Sequence, residues 1–582
     1  MAWRRGRRFQ SASGTGGQMM RRRAWFSVLV FLLCAAALWA QYKPSSKHVK
    51  PRKLHVFPAT LVTLPSNSPL YQIKVMVRTG SADDPAGKEG LANLAAQALI
   101  EGGFGSSKSP ITTQKLAEIT RPWGDAAFPT VLVDKQATTF SMTVPRDSFA
   151  PYIERVLKPM FTQPLWLPKE VDRVRRDTLT SIQSGLRFED EESLGLLALD
   201  NYVFSGTALG HLALGTVKGL QAITPADLNA FYKKYYTLGN MFLATTINGQ
   251  QDLSRVIAAL PAGQPVYRTA NLRRSVVAPG RHVLIITQPN AIAAGLHLGY
   301  PISLKRTDPD YWPLFVSNVF LGTHRDEFGR LYQDIRQARG YNYGDYSYIE
   351  YQYGLPQFQF PPPTTPREQQ YFSIWIRPVG RQYTHFILKV MTAELDRFAR
   401  QGMTPGEVAG AKIKARALYL NYAESVSRQL GYRLDDMFYG MRDQGYLEQM
   451  LPRIDTVTPE QVNAAIKKYL QTKNLDYVIV TNEADGQKLA DDIANDTNVQ
   501  SKTPQEYHIA EPVPPDKEQM LDQDKQWAAY PLNIPRANIT VVNAAEMFET
   551  GSQESVVSSR ESVIKSQDSG AGFVPKPVPG SW

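Results

Sequence analysis

Eight histidines and one cysteine bound the metal and nucleophile chemistry open to this 582-residue chain. His48, His55, His211, His282, His297, His324, His385 and His508 never stand three or four residues apart, so no helix presents two imidazoles one turn from each other, as a short zinc motif requires. Gly102-Gly-Phe-Gly-Ser-Ser lacks the Gly-Lys-Ser/Thr that opens a phosphate-binding helix and reads as a helix end and turn. His211, after Gly210, is read as structural in the loop before Gly215–Gly219. Two stretches place polar residues at an ordered spacing. Asn93 and Gln97 lie one helical turn apart, beside Ala96, on a helix predicted from about Lys88 whose apolar stripe is Leu91, Leu94, Ala95, Ala98 and Leu99 and which Gly102 and Gly103 end. Arg336 and Tyr343 stand seven residues apart in Arg330-Leu-Tyr-Gln-Asp-Ile-Arg-Gln-Ala-Arg-Gly-Tyr-Asn-Tyr343, which by pattern alone is a helix with a solvated arginine face running into an aromatic strand.

The elements that must position these residues form an internal repeat. Ile223-Thr-Pro-Ala-Asp-Leu-Asn-Ala-Phe-Tyr-Lys-Lys-Tyr235 with Asn240 and a β-rich run recurs as Val457-Thr-Pro-Glu-Gln-Val-Asn-Ala-Ala-Ile-Lys-Lys-Tyr469 with Asn474 and its own β-rich run, at an offset of 234 without a gap. Thr-Pro with an acidic residue behind it is a helix start, Thr as N-cap and Pro in the first turn. Alternating strands (Leu70–Arg78, Ala137–Val144, His282–Gln288, Tyr371–Arg377) cluster rather than alternate strictly with long amphipathic helices (Ala150–Met160, Lys169–Leu186, Ala409–Tyr422). This predicts an α+β fold of two homologous domains, residues 50–262 and 278–497, each a largely antiparallel sheet with helices on one face. Gly263–Pro279 is the expected linker. The 498–582 extension is proline-rich, with a stickier island near Trp527–Val542 and a disordered last forty residues expected.

Residues 1–40 read as a secretory signal: an arginine-rich start, then 17 residues from Ala24 to Ala40 that are apolar and end in small side chains, with the mature chain starting near Gln41. An exported, periplasmic protein is expected; an uncleaved segment anchored to the inner membrane is the alternative. Removing this segment takes away seven arginines and no acidic residue, so the net charge falls from +11 to +4, and a nucleic-acid partner is not indicated. It also removes Cys34, leaving no thiol.

Gly80-Ser-Ala-Asp-Asp-Pro-Ala-Gly-Lys-Glu-Gly-Leu-Ala followed by an apolar helix resembles the zinc-site helix of the pitrilysin/insulinase peptidases, the inverted zincins that include mitochondrial processing peptidase. Those enzymes carry H-x-x-E-H there, two zinc ligands and a general base; here Asn93, Ala96 and Gln97 stand in their places. The family's third ligand, a glutamate on a later helix, matches Ser181 in Arg176-Asp-Thr-Leu-Thr-Ser-Ile182. Amides and a hydroxyl do not replace imidazoles and a carboxylate, so no cofactor is expected in this chain. The resemblance also matches Arg336 and Tyr343 to a pair that, in the family, donates hydrogen bonds in trans to peptide held at the zinc of the opposite half. It implies half of a clamshell: a non-catalytic subunit whose partner is a homologue with an intact H-x-x-E-H and bound zinc, acting on unfolded peptides or small proteins. Two other readings stand beside it: a purely structural scaffold subunit that uses the fold for assembly, and an autonomous zinc peptidase with unrecognised ligands.

Overall fold

A computed structural model of the chain describes residues 60–264, 277–323, 326–352, 363–441 and 444–551. The segment read as a secretory signal, with Cys34, most of the expected linker and residues 552–582 lie outside the described residues. In chain order the strands are β1 (Thr60–Thr63), β2 (Leu70–Val77), the hairpin β3 (Phe104–Ser106) and β4 (Ser109–Ile111), β5 (Thr130–Val133), β6 (Thr138–Pro145), β7 (Met241–Thr245), β8 (Arg281–Gln288), β9 (Ala293–Ile302), β10 (Asp345–Tyr348), β11 (Gln370–Gly380), β12 (Leu475–Asn482) and β13 (Ile539–Asn543). Nine helices carry the description below: α1 (Leu91–Glu101), α2 (Pro168–Thr180), α3 (Glu191–Val203), α4 (Pro225–Tyr235), α5 (Thr384–Gln401), α6 (Pro405–Tyr422), α7 (Val426–Phe438), α8 (Pro459–Tyr469) and α9 (Pro515–Ala528).

The first sheet runs β1-β7-β2-β6-β5 and the second β10-β11-β9-β12-β8-β13. In the first, only β1 and β7 pair in parallel. In the second, β12–β8 and β13–β8 are parallel and the rest antiparallel. Period-2 alternation decides which side chains enter which core. Ile73, Val75 and Val77 of β2 join Phe140 and Met142 of β6 in the first core, while Met76 points to the opposite face. In the second half Val283, Ile285, Leu296 and Leu298 line one core, and Leu284, Ile286, Val478 and Val480 turn the other way.

The repeat reappears in the helices. Thr224 and Thr458 each accept a hydrogen bond from the third helical residue, with Pro225 and Pro459 in the first turn, so α4 and α8 start by the same capping box. The buried stripe Val171, Val174, Thr178 of α2 corresponds to Val408, Ala411, Ala415 of α6.

The expected α+β architecture is present, and the second face of each sheet is covered as well, by a helix of the other half. α3, which belongs to the first half by sequence, packs on β9, β11 and β12 of the second sheet, and α7 of the second half packs on β2 and β7 of the first. Each half therefore lends a helix to cover the other's free sheet face, burying apolar surface on both sides. Close approach of α3 depends on small residues: a Cβ on Gly195 would stand 2.3 Å from the His297 ring, and one on Gly295 would stand 2.6 Å from the Glu191 carbonyl. At the same junction Arg367, fully buried, donates two hydrogen bonds to Asp134 (2.6 and 2.8 Å) and two to Asp200 (2.6 and 3.5 Å) under the Tyr351 ring. Lys135 stands 3.4 Å from Asp200 and completes a network of two cations and two carboxylates, which lets charges persist without water.

The C-terminal extension is structured well past its apolar island. α9 packs on α5, β13 adds to the second sheet beside β8, and Trp527, Leu532, Ile534 and Ile539 enter the second core. Residues 543–551, expected to be disordered, instead bury Ala544, Met547 and Phe548 against the first half, with Val217 donating to the Phe548 carbonyl at 3.0 Å.

Candidate functional site

The helix matched to the zinc helix begins at Leu91, three residues later than the sequence places it, because Gly90 adopts a left-handed conformation and Asp84 caps the helix from outside. The Asp84 carboxylate accepts from the backbone N–H groups of Gly90 and Ala92, both at 2.7 Å, and stands 3.2 Å from His211 Nε2. His211 thus serves this cap. Burial pushes the Asp84 carboxyl up, and His211 and the two amides work against that. Arg173 of α2 bonds Glu101 of α1 at 2.8 Å, fixing the two helices of the site to each other.

The four degenerate positions do not form a binding site. Asn93 is 3% exposed and Ala96 fully buried, so two of the four lie inside the first core. The Asn93 Nδ2 has no hydrogen-bond partner among the described residues. Gln97 is half-buried one turn on. Ser181 is exposed at the start of a widened π-helical turn, Ser181–Gly185, where its hydroxyl donates to the Asp177 carbonyl at 2.9 Å. A zinc ion needs anionic or imidazole donors converging on one point; here one position offers no donor atom, two offer amides and the fourth bonds its own helix. The residues present do not fit the metal. Among the described residues no group of three or more His, Cys, Asp or Glu side chains is arranged to hold one.

Arg336 and Tyr343 are brought together. Arg336 sits on a second π-helical turn, Tyr332–Gln337, ended at Gly340, whose φ of +60° suits glycine and whose N–H donates to the Arg336 carbonyl at 2.7 Å. The guanidinium donates to the Tyr343 carbonyl at 2.5 Å and lies 5.2 Å from the centroids of both the Tyr332 and Tyr343 rings. Stacking on two aromatic faces restricts an otherwise flexible side chain. Tyr343 is 75% exposed, so its phenol faces solvent. It precedes β10 rather than starting it. The turn is held by Asn342, which donates to Asp345 at 2.7 Å and accepts from the Gly344 N–H at 3.2 Å. Burial drives the Asp345 carboxyl well up, against the pull of Asn342 and Arg336.

Behind this segment lies a layer of residues that the sequence patterns miss. Glu394 of α5, fully buried, accepts from Trp527 Nε1 at 3.0 Å, stands 3.3 Å from Arg330 Nε and is also bound by Arg397. Burial, and then the neighbouring Asp334 carboxylate, push Glu394 up to about 7. Arg339 is bound by Asp524 from the C-terminal extension. Only the clustering of arginines at 330, 336 and 339 hints at this layer in the sequence, since their partners lie on distant elements.

Two sheets with exchanged helices, each built of the same order of elements, are the architecture of M16-type peptidase folds. The comparisons with known proteins agree. Residues 222–414 match the family model described as the Peptidase M16 inactive domain. The chain is 30% identical over 285 residues to an uncharacterized zinc protease of Streptomyces coelicolor, a stretch covering 46% of this chain and 56% of that one. It is 22% identical over 448 residues to the non-peptidase homolog YmxG of Helicobacter pylori, covering 71% of this chain and 90% of the relative. The chain spans little more than half the length of the Streptomyces relative. The crystal structure of a peptidase M16 inactive domain from Pseudomonas fluorescens superposes with a TM-score of 0.63 at 21% identity, over 74% of this chain and 98% of that one. The chain is thus similar to M16-family proteins, and the stretch that matches the M16 inactive domain, residues 222–414, runs from the end of the first half into the second.

Proposed function

We propose that this chain is the catalytically silent member of a two-subunit M16 peptidase, pairing with a homologue that carries an intact H-x-x-E-H and completing that partner's site in trans. The observation that carries this reading is the contrast within one molecule: Asn93, Ala96, Gln97 and Ser181 offer nothing for zinc, while Arg336 and Tyr343 are adjacent and turned outward. The partner's zinc would supply the Lewis acid and the activated water. This chain's part is to receive charge. As the peptide carbonyl becomes an oxyanion, the Tyr343 hydroxyl and the Arg336 N–H groups not committed to the Tyr343 carbonyl donate hydrogen bonds to it. The ring stack holds the guanidinium in place beforehand, so little reorganisation is needed at the moment of reaction.

The Helicobacter relative, named a non-peptidase homologue, supports the silent half of the reading. Export to the periplasm, with a mature start near Gln41, belongs to the same proposal and rests on the arginine cluster and apolar run of residues 1–40. The test is co-expression with a homologue bearing H-x-x-E-H, co-purification, and hydrolysis of fluorescein-labelled casein. The pair is expected to cleave, this chain alone is not. A scaffold role predicts that Arg336→Ala and Tyr343→Phe leave the pair's activity whole.

A further inference from the structure

The Arg336/Tyr343 segment is held from behind by the C-terminal extension, which lies beyond the stretch 222–414 matched as the M16 inactive domain. Between the two residues run Arg339, Gly340 and Tyr341, and each is gripped. Arg339, 4% exposed, donates to Asp524 at 2.6 Å, to Gln523 at 2.8 Å and to the Met520 carbonyl at 3.2 Å, and lies 4.2 Å from the centroid of the Trp527 ring. Lys502 donates from its side chain to the carbonyls of Arg339 (3.0 Å) and Gly340 (2.9 Å), and from its backbone N–H to the Tyr341 hydroxyl (3.0 Å). The Tyr341 and Tyr507 hydroxyls share a hydrogen bond of 2.9 Å, and the Tyr507 hydroxyl donates to Asp524 at 2.7 Å. Asp524, itself 3% exposed, therefore joins both arms of the grip: one carboxylate oxygen takes Arg339, the other Tyr507.

We infer that Asp524 and Tyr507 are positioning residues, and that the extension 502–528 is a built-in clamp that fixes the Arg330–Tyr343 segment so that Arg336 and Tyr343 are presented in one arrangement. The physical need is plain. Leu331, Ile335 and Tyr341 anchor the segment in the second core, but its last turn runs through a glycine of positive φ to an exposed tyrosine, and two donors must meet one oxyanion within a few tenths of an ångström to act. A buried carboxylate with two charge-assisted or hydroxyl partners supplies directional order that a surface pair would not. The functional meaning of the clamp rests on the trans-acting reading above; its existence as a local restraint does not.

The test is amide hydrogen exchange on the full chain, with no partner required. Asp524→Asn removes the charge that holds Arg339; Tyr507→Phe keeps the ring and removes the two hydroxyl bonds, a milder change that keeps the question open where Asp524→Asn fails to fold. Lys525→Ala, on the same helix but with a largely exposed side chain that among the described residues pairs with Asp522 alone, is the control. Exchange in peptides covering 330–343 should rise at least tenfold in Asp524→Asn and severalfold in Tyr507→Phe, with α1 and the strands of both sheets unchanged and Lys525→Ala like the wild type. Unchanged exchange in 330–343 in either folded variant overturns the clamp, as does a rise spread evenly over the second half. With the pair in hand, Asp524→Asn should lower kcat on labelled casein about tenfold while KM stays within twofold. A local rise in exchange combined with an Arg336→Ala pair that cleaves normally would remove the trans-acting reading and leave the clamp standing.

Discussion

The α1 helix of the first half and the Arg330–Tyr343 segment of the second are built in opposite ways. In the first half the positions that the resemblance matches to zinc ligands and base belong to the fold: Asn93 and Ala96 of α1 are core residues, and Ser181, just past α2, bonds its own helix. In the second half the matched pair stays at the surface, with Tyr343 75% exposed, and the buried polar residues stand behind it rather than in it. On the proposed reading this is expected: positions that hold no charge can pack as apolar core, whereas donors that must meet a partner's substrate have to remain exposed and be stiffened from the rear.

If the first half serves as structure, its greatest sensitivity should lie where the halves join, not at the old site. Arg367→Ala strands the Asp134 and Asp200 carboxylates in a dry junction and should cost about 3–5 kcal/mol, read as a lowered urea midpoint of the full chain; a loss below about 1 kcal/mol would contradict the role given to this network. On the other side, the support beneath Arg330 should be sensitive to pH. Glu394 is pushed up to about 7, above the usual carboxylate range, so the folded state holds a proton that the unfolded state releases. Its stability contribution is full below the ordinary carboxylate pKa and is lost as pH rises through about 7, a change of roughly 2–3 kcal/mol between pH 4 and 8. Thermal unfolding from pH 5 to 8 should show this decline, and Glu394→Gln should flatten it; equal slopes in the two proteins would show that the proton is not there. The smallest effect is predicted in α1. Asn93→Leu exchanges an amide with an unmet Nδ2 donor for an apolar side chain of similar size, and should leave stability unchanged or raise it by up to about 1 kcal/mol. A clear loss of midpoint would mean that the Asn93 amide has a partner.

How much of this was legible in the sequence follows the range of the interactions. The 3.6-residue stripe gave α1, α2 and α6, the period-2 runs gave β2, β6, β8 and β11, and Thr-Pro marked α4 and α8, because each signal is local. The adjacency of Arg336 and Tyr343 also lies within seven residues. The exchange of α3 and α7 was not legible. α3 buries Leu194, Leu196, Leu199 and Tyr202 on several sides, which marks it as an interior helix but not against which sheet. Arg367 stands outside any regular element, and its partners are 167 and 233 residues away; Asp524 is 185 residues from Arg339. Such pairs are made by the tertiary fold, and no spacing rule records them. Asp84 shows the same limit at short range: it caps α1 from six and eight residues upstream, outside the usual N-cap position.

The most direct test of the central claim is casein hydrolysis by this chain paired with an H-x-x-E-H homologue, comparing Arg336→Ala and Tyr343→Phe with Asn93→Ala and Gln97→Ala. The account predicts that all four variants still bind the partner. Each of the first two should lower kcat/KM by about 10²–10³, the usual cost of one oxyanion donor, and the last two should stay near wild type. Full activity in both Arg336→Ala and Tyr343→Phe would contradict it.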